Sequence, residues 1–347
     1  MDFHPTEEQA AAAGLAARIF VDLATHERLA AAGTGSDAEL WKALTTAGLI
    51  AAVEEIGLLG LVLLLEEQGR TTAQVPYAAT CAYGILPVAA HGSPEQRARL
   101  LPALGAGEAV ATGAFPARGR ITTSSEGRLT GTAPAVPWLR DATHVLVPDA
   151  DRALWLVRTD APGVETAAVE TTAPWAAGRL TLSGAEAERL GSEGAYEDTL
   201  AAARTAFAGL QAGVCAGSLA RAVEHTSTRE QFGRPLSTNQ GVMLRAADAY
   251  MDTEAIRVTA YEAAWRIDQG LPAPEYALTA AWWASEAGKR VVHAGQHLHG
   301  GMGADLDHPV HRHFLWGRQL DAYLGCGSEL LAELGASIAS TAEGEHA

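Results

Sequence analysis

Apolar positions recur at helical spacing through the first third of the chain. Leu40, Trp41 and Leu44 share one face of a helix predicted over 38–47, with Ser36 and Asp37 ahead of it as candidate caps. Pro76, Pro87, Pro94 and Pro102 fall near the ends of further predicted helices, so residues 1–110 read as a helical domain. The longest apolar run, Ile56–Leu65, is bracketed by Glu54, Glu55, Glu66 and Glu67. It is shorter than the ~20 residues a bilayer crossing needs, and a core helix is expected there.

From 111 to 195 the pattern changes to short runs rich in Val, Thr and Leu, such as Thr143–Val147 and Ala153–Arg158, separated by Gly and Pro. A small β domain is expected. From 196 to 340 the helical period returns and lengthens: Leu244, Ala247, Met251, Ala255, Val258, Tyr261 and Trp265 mark one face of a helix of about seven turns. A helical bundle follows from this, and 341–347 reads as a polar tail. Gly209, Gly213 and Gly217 recur every four residues inside one predicted helix, where each glycine costs about 1 kcal/mol relative to alanine. A close helix–helix approach would offset that cost, and a cofactor approached by bare backbone is the alternative.

Composition narrows the function classes. With 48% hydrophobic and 19% charged residues over 347 positions, the chain can bury a core, and global disorder is excluded. A formal charge of -16 would repel phosphate backbones and anionic lipid, so neither nucleic acid nor membrane is an expected partner. Cys81, Cys215 and Cys326 lie far apart with no CxxC pair, which favours neither a disulfide framework nor a thiolate zinc site and fits a reducing cytoplasm. The first residues carry no basic region followed by an apolar stretch, so no secretion signal is read there.

Two stretches carry candidate chemistry. Arg229-Glu230-Gln231-Phe232-Gly233-Arg234-Pro235-Leu236, followed by Ser237 to Gln240, joins two predicted helices. A turn at Gly233 and Pro235 would place Arg229 and an aromatic ring where a phosphate and an adenine-like ring could be met, and a charged helix-to-helix loop is the plainer alternative. In Gln296-His297-Leu298-His299-Gly300-Gly301-Met302-Gly303, three glycines in four residues let backbone amides approach a ligand such as a pyrophosphate, or simply end a helix. Six of the twelve histidines crowd into 293–313. His293 and His297 have the i, i+4 spacing of a metal pair, but no glutamate lies between them and no metal is assigned.

Together the two stretches resemble the acyl-CoA dehydrogenase family, whose C-terminal bundle carries an arginine, then Gln-Phe-Gly and Pro-Leu with a following glutamine, and later a Gly-Gly-x-Gly turn. The order of helices, β domain and helices matches over nearly the whole chain. The string His297 to Asp305, with Pro309 and His311-Arg312 after it, is most similar to actinobacterial heteromeric (α2β2) members associated with steroid side-chain degradation. The resemblance implies a helical N-terminal domain, a β-barrel or sandwich, and a C-terminal four-helix bundle. It also implies FAD shared across a subunit interface, with Arg229, Gln231, Phe232, Gln240, His297, Gly300 and Gly301 at the ADP-side positions, and electron-transfer flavoprotein as the acceptor of the complex. His297 stands where glutamine is common in the family.

On the flavin side the family pattern is lost. The usual Thr-Glu-Pro-Gly-Ala-Gly-Ser-Asp stretch is replaced by Phe115-Pro116-Ala117-Arg118-Gly119-Arg120, and the Trp-Ile-Thr strand by Ala135-Val136-Pro137-Trp138-Leu139. The family's reaction requires a carboxylate beside the acyl α carbon. Leu324 occupies the glutamate position of Tyr-Glu-Gly-Thr, and Ala203 precedes Arg204 where some members keep the base instead. Asp321 and Glu329 are the nearest carboxylates and are expected to be solvated helix charges. The resemblance therefore implies a non-catalytic subunit that completes the FAD site of a catalytic partner, with acyl-CoA held mainly by that partner. A homomeric enzyme with a relocated base and a flavin-free scaffold or acyl-CoA binding protein are the alternatives.

Overall fold

In the computed structural model, which describes the backbone of residues 3–344 and side chains as far as residue 340, the N-terminal third is helical. The first helix, α1 (Glu7–Leu23), starts at a capping box: the Thr6 hydroxyl accepts from the Gln9 amide, and the Gln9 side chain accepts from the Thr6 amide. After α2 (His26–Ala32) comes α3 (Ala38–Thr46), whose cap is Asp37. Its carboxylate accepts from the amides of Glu39 and Leu40, and Arg28 holds it in an ion pair at 2.7 Å. The apolar run lies in α4 (Val53–Thr71), buried as a core helix should be, with a kink at Gly57 where φ is +70°. Shorter helices α5 (Tyr77–Thr80), α6 (Leu86–His91) and α7 (Pro94–Gly105) complete this part.

The middle is β1 (Ala111–Gly113), β2 (Ile121–Thr123), β3 (Arg128–Val136), β4 (His144–Pro148), β5 (Leu154–Arg158), β6 (Val164–Ala168), β7 (Gly178–Glu186) and β8 (Glu188–Leu190). They form two four-stranded sheets, β1-β4-β5-β8 and β2-β3-β7-β6, antiparallel except where β1 runs parallel to β4. Val145, Val147 and Val157 from one sheet share a buried cluster with Leu129, Val136, Leu180 and Leu182 from the other. Of the two β architectures expected, the chain adopts the sandwich.

Beyond the strands lie α8 (Ala195–Thr228), a small hairpin of β9 (Glu230–Gln231) and β10 (Arg234–Pro235), α9 (Gln240–Asp268), α10 (Pro274–Leu298), α11 (Val310–Tyr323) and α12 (Gly327–Gly344). The tail expected at 341–347 falls partly on α12, whose backbone continues through Gly344, and partly outside the described residues. By long-range contact the chain forms two compact units: Pro5–Leu61 with Gln74–Ala203, and Val62–Ala73 with the chain from Arg204 onward.

In the second unit the glycine series meets the C-terminal half of α4. A Cβ at Gly213 would overlap the Glu66 carbonyl, one at Gly217 the Arg70 carbonyl, and one at Gly209 would lie 2.8 Å from Val62 Cγ1. From the other side, Gly69 leaves room for the Leu210 carbonyl. The glycines serve backbone-to-backbone packing, which offsets their helix-propensity cost. α8 is long and apolar enough to cross a membrane, yet 72% of its apolar window is buried inside the protein, as in a core helix.

α9 departs from the sequence pattern in direction. Its buried residues are Ala249, Thr253, Ile256, Ala260, Ala263 and Ala264. Leu244, Met251 and Val258, which mark the apolar face in the sequence, are 58, 61 and 47% exposed. The helix packs on small side chains and Ile256 and turns Leu244, Met251 and Val258 outward.

Candidate functional site

Arg229 follows the last residue of α8 with its amide still bonded to the His225 carbonyl, at 2.8 Å. The chain then reverses: Glu230 pairs with Pro235 and Gln231 with Arg234, and the two loop residues Phe232 and Gly233 have φ of 54° and 76°. A two-residue loop with both positions left-handed favours Asn-Gly. Phenylalanine in the first position costs on the order of 1 kcal/mol or more. Burial does not compensate, because Phe232 is 100% exposed. Arg229, Gln231 and Arg234 around it are exposed as well, as is Gln240 at the first position of α9. The aromatic is thus held out of the fold on a strained turn among exposed polar side chains.

The second stretch is joined to the first by histidines. His225, one turn before Arg229, stacks on His299 with ring centroids 4.8 Å apart and planes at 19°, and His299 faces His308 at 5.0 Å. His299 immediately precedes Gly300, whose φ of +62° opens the turn Gly300–Ala304. The stack thus brings the end of α8 and the end of α10 together. Gly300 and Gly301 are exposed with open space where a Cβ would stand, and His297 is exposed on the last turn of α10. Burial lowers the pKa of His225 and His308, and facing His299 lowers both further.

Among the described residues, no group of three His, Cys, Asp or Glu side chains is placed to hold a metal ion. His293 meets the Arg318 guanidinium at 3.2 Å and the edge of the Phe314 ring. His313 is buried, with its pKa lowered by burial to about 4, and its Nε2–H donates to the Arg70 carbonyl at 3.0 Å.

The Phe115–Arg120 segment, in the other unit, is filled from within. Phe115 is 7% exposed and lies between Tyr83, at 5.1 Å and 26°, and Tyr196, at 5.6 Å and 9°. The Tyr196 hydroxyl accepts from the Ala117 amide at 3.1 Å. The Ala117 amide and the Phe115 ring are thus engaged by the chain's own side chains. Trp138 is fully buried against Trp175 at 4.4 Å.

The two positions expected to carry the base are apolar and buried. Leu324 is 6% exposed at the C-terminal cap of α11, and Ala203 is fully buried. Arg204 beside it is paired with Glu333 through contacts of 2.7 and 2.8 Å. Glu329 is exposed in the first turn of α12, where its carboxylate accepts from the Cys326 amide at 3.2 Å. Asp321 corrects the expectation of a solvated charge: it is 8% exposed, on the side of α11 that packs on α10. Burial raises its pKa against the pull of Arg318, 3.2 Å away.

Sequence reasoning missed the histidine stack, the outward face of α9 and the Tyr83–Phe115–Tyr196 column. Only the first left a local signal, in that His225 precedes Arg229 by one helical turn.

Comparison with known proteins matches this architecture. The model of the acyl-CoA dehydrogenase N-terminal domain matches residues 6–108, and that of the acyl-CoA dehydrogenase C-terminal domain matches residues 194–338. Acyl-CoA dehydrogenase FadE27 of Mycobacterium tuberculosis is 36% identical over 98% of this chain and 100% of that protein. A Tcur3481-Tcur3483 steroid ACAD variant superposes with TM-score 0.92 at 42% identity, covering 97% of this chain and 99% of that one. The ChsE4-ChsE5 complex from Mycobacterium tuberculosis gives a TM-score of 0.93 at 33% identity, over 98% of this chain and 99% of that one.

Proposed function

The chain belongs to the acyl-CoA dehydrogenase family, and from that premise we propose that it is the non-catalytic subunit of a heteromeric, FAD-dependent acyl-CoA dehydrogenase. The observation that carries this reading is the contrast between two segments, one in each unit. The ADP-side residues stand exposed on the Arg229 hairpin and the Gly300 turn, whereas the flavin-ring segment is closed by the stacked Phe115. When bound, FAD supplies the hydride acceptor for α,β-dehydrogenation of an acyl-CoA thioester. The residues of this chain fit the other end of that molecule. Arg229 offers charge-assisted hydrogen bonds to phosphate, Phe232 offers a ring face, and Gly300 and Gly301 let backbone amides approach. Removing the acyl α proton is left to the partner, since neither Leu324 nor Ala203 can accept one.

The partner is a catalytic acyl-CoA dehydrogenase subunit that holds the flavin ring and most of the acyl-CoA, in a cytoplasmic heterotetramer that passes electrons to electron-transfer flavoprotein. The outward apolar face of α9 supports a partner chain, because large apolar side chains in solvent contribute nothing to the isolated fold. A steroid side-chain CoA ester is the substrate class we favour, by similarity to the steroid ACAD. One observation, the burial of Asp321, favours a second reading in which this carboxylate is a relocated base. In the assembled complex, Arg229→Ala should weaken FAD retention by about ten- to a hundredfold. Flavin content and affinity unchanged in that variant would assign the hairpin to packing.

A further inference from the structure

Three imidazoles in contact at the junction of α8, α10 and the start of α11 are not required by packing, since phenylalanine or tyrosine would stack as well and would not titrate. We infer that His225, His299 and His308 form a proton-sensitive clasp that positions the Arg229 hairpin against the Gly300 turn and lets go of it on acidification. The clasp rests on the geometry of the stack alone. Its consequence for FAD rests on the reading above, that the hairpin completes a partner's cofactor site.

Hydrogen bonds orient two of the three rings. His299 Nδ1–H donates to the Gly295 carbonyl at 2.7 Å, so its proton is on Nδ1. His308 Nδ1 accepts from the Val310 amide at 3.3 Å, so its proton is on Nε2. A second proton on His308 would set a donor against the amide of the first residue of α11 and remove its acceptor. His311 Nδ1–H donates to the His308 carbonyl and ties the same short segment.

Charges around the stack act mostly in one direction. α8 presents Arg221, Glu224 and Arg229, and the segment before α11 presents Asp305 and Asp307. His297 lies on the last turn of α10, and α11 adds His311, Arg312 and His313. Arg229 disfavours a proton on His225, Arg221 disfavours one on His308, and only Asp305 favours one there. A second cation at stacking distance meets the first, so neutral His225 and His308 are favoured when the clasp is closed.

The direction with pH follows. His225 and His308 have lowered pKa values in the folded chain, so their contribution is fully present above the ordinary histidine value of about 6.5. It is lost as pH falls below that value toward the folded pKa values, because the opened state then binds more protons.

The test uses amide hydrogen exchange in the full chain, corrected for the intrinsic pH dependence, with residues 222–236 and 298–304 compared with the core of α10. Between about pH 7.5 and 5.5 the protection of these two segments should fall roughly tenfold or more relative to that core, the effect of about 1.4 kcal/mol. In the His225→Phe/His299→Phe/His308→Phe variant it should change less than about threefold. Equal loss in wild type and variant, or no loss in wild type, would overturn the clasp. Should the triple variant fail to fold, His308→Tyr alone should reduce the pH response, and a full response in it would count against the clasp. In the complex, FAD release should accelerate over the same range in wild type only. Titration of the clasp without any change in FAD release would leave the clasp standing and count against the cofactor-completing role of the hairpin.

Discussion

Phe232 is fully in solvent at positive φ, and Leu324, where the family resemblance puts the general base, is buried; the proposed function rests on these two side chains more than on any others. On the proposed reading the first accepts local strain for contact outside the chain, and the second leaves the chain without a general base. Asp321 is the residue that tests this directly. Its raised pKa arises first from burial, and Arg318 at 3.2 Å opposes the shift, while Ser285 of α10 donates to its backbone carbonyl. In the assembled complex Asp321→Asn should leave kcat within a few-fold. A drop of a hundredfold or more, about 2.7 kcal/mol of lost transition-state stabilisation, would make it a relocated base. The contrast between Arg229 and Asp321 shows what a sequence reveals at this scale. The turn after Arg229 was legible because Gly233 and Pro235 follow it closely. The burial of Asp321 was not, because it depends on which neighbour α11 packs against.

At the scale of elements, glycine spacing proved easier to interpret than apolar spacing. Gly209, Gly213 and Gly217 each carry a helix-propensity cost that something must offset, and the only inexpensive return in a long helix is a close neighbour, here α4. The period of α9 was equally visible, but a period names a face without saying what covers it. Ala260, Ala263 and Ala264 pack inside while Leu244, Met251 and Val258 face out. If that outward face meets the partner, Met251→Glu should weaken assembly by about tenfold or more, since burying such a side chain contributes roughly 1.5 to 3 kcal/mol. The melting temperature of the isolated chain should stay within a few degrees, because no core contact is lost. Sedimentation of the mixed subunits and thermal melts of the single chain check both halves. A large loss of Tm, with assembly intact, would place the face inside the fold.

For the whole molecule, the order of helices, β domain and helices was legible from the change of hydrophobic period near residues 110 and 195. The division into two units was not, because α4 contributes its C-terminal half to a unit otherwise built from Arg204 onward, and no local signal marks contacts so distant in sequence. The flavin-ring segment shows the same limit: loss of the family motif was readable, but its closure by Tyr83 and Tyr196 joins residues from opposite ends of a 114-residue stretch. The central claim is that this chain completes a cofactor site it cannot use by itself. It is tested most directly by purifying the single chain and the chain assembled with its catalytic partner, then measuring bound FAD and acyl-CoA-dependent reduction of an electron acceptor in each. The account predicts a colourless, inactive single chain and a flavin-bearing, active assembly. Stoichiometric FAD with turnover from the pure single chain would contradict it.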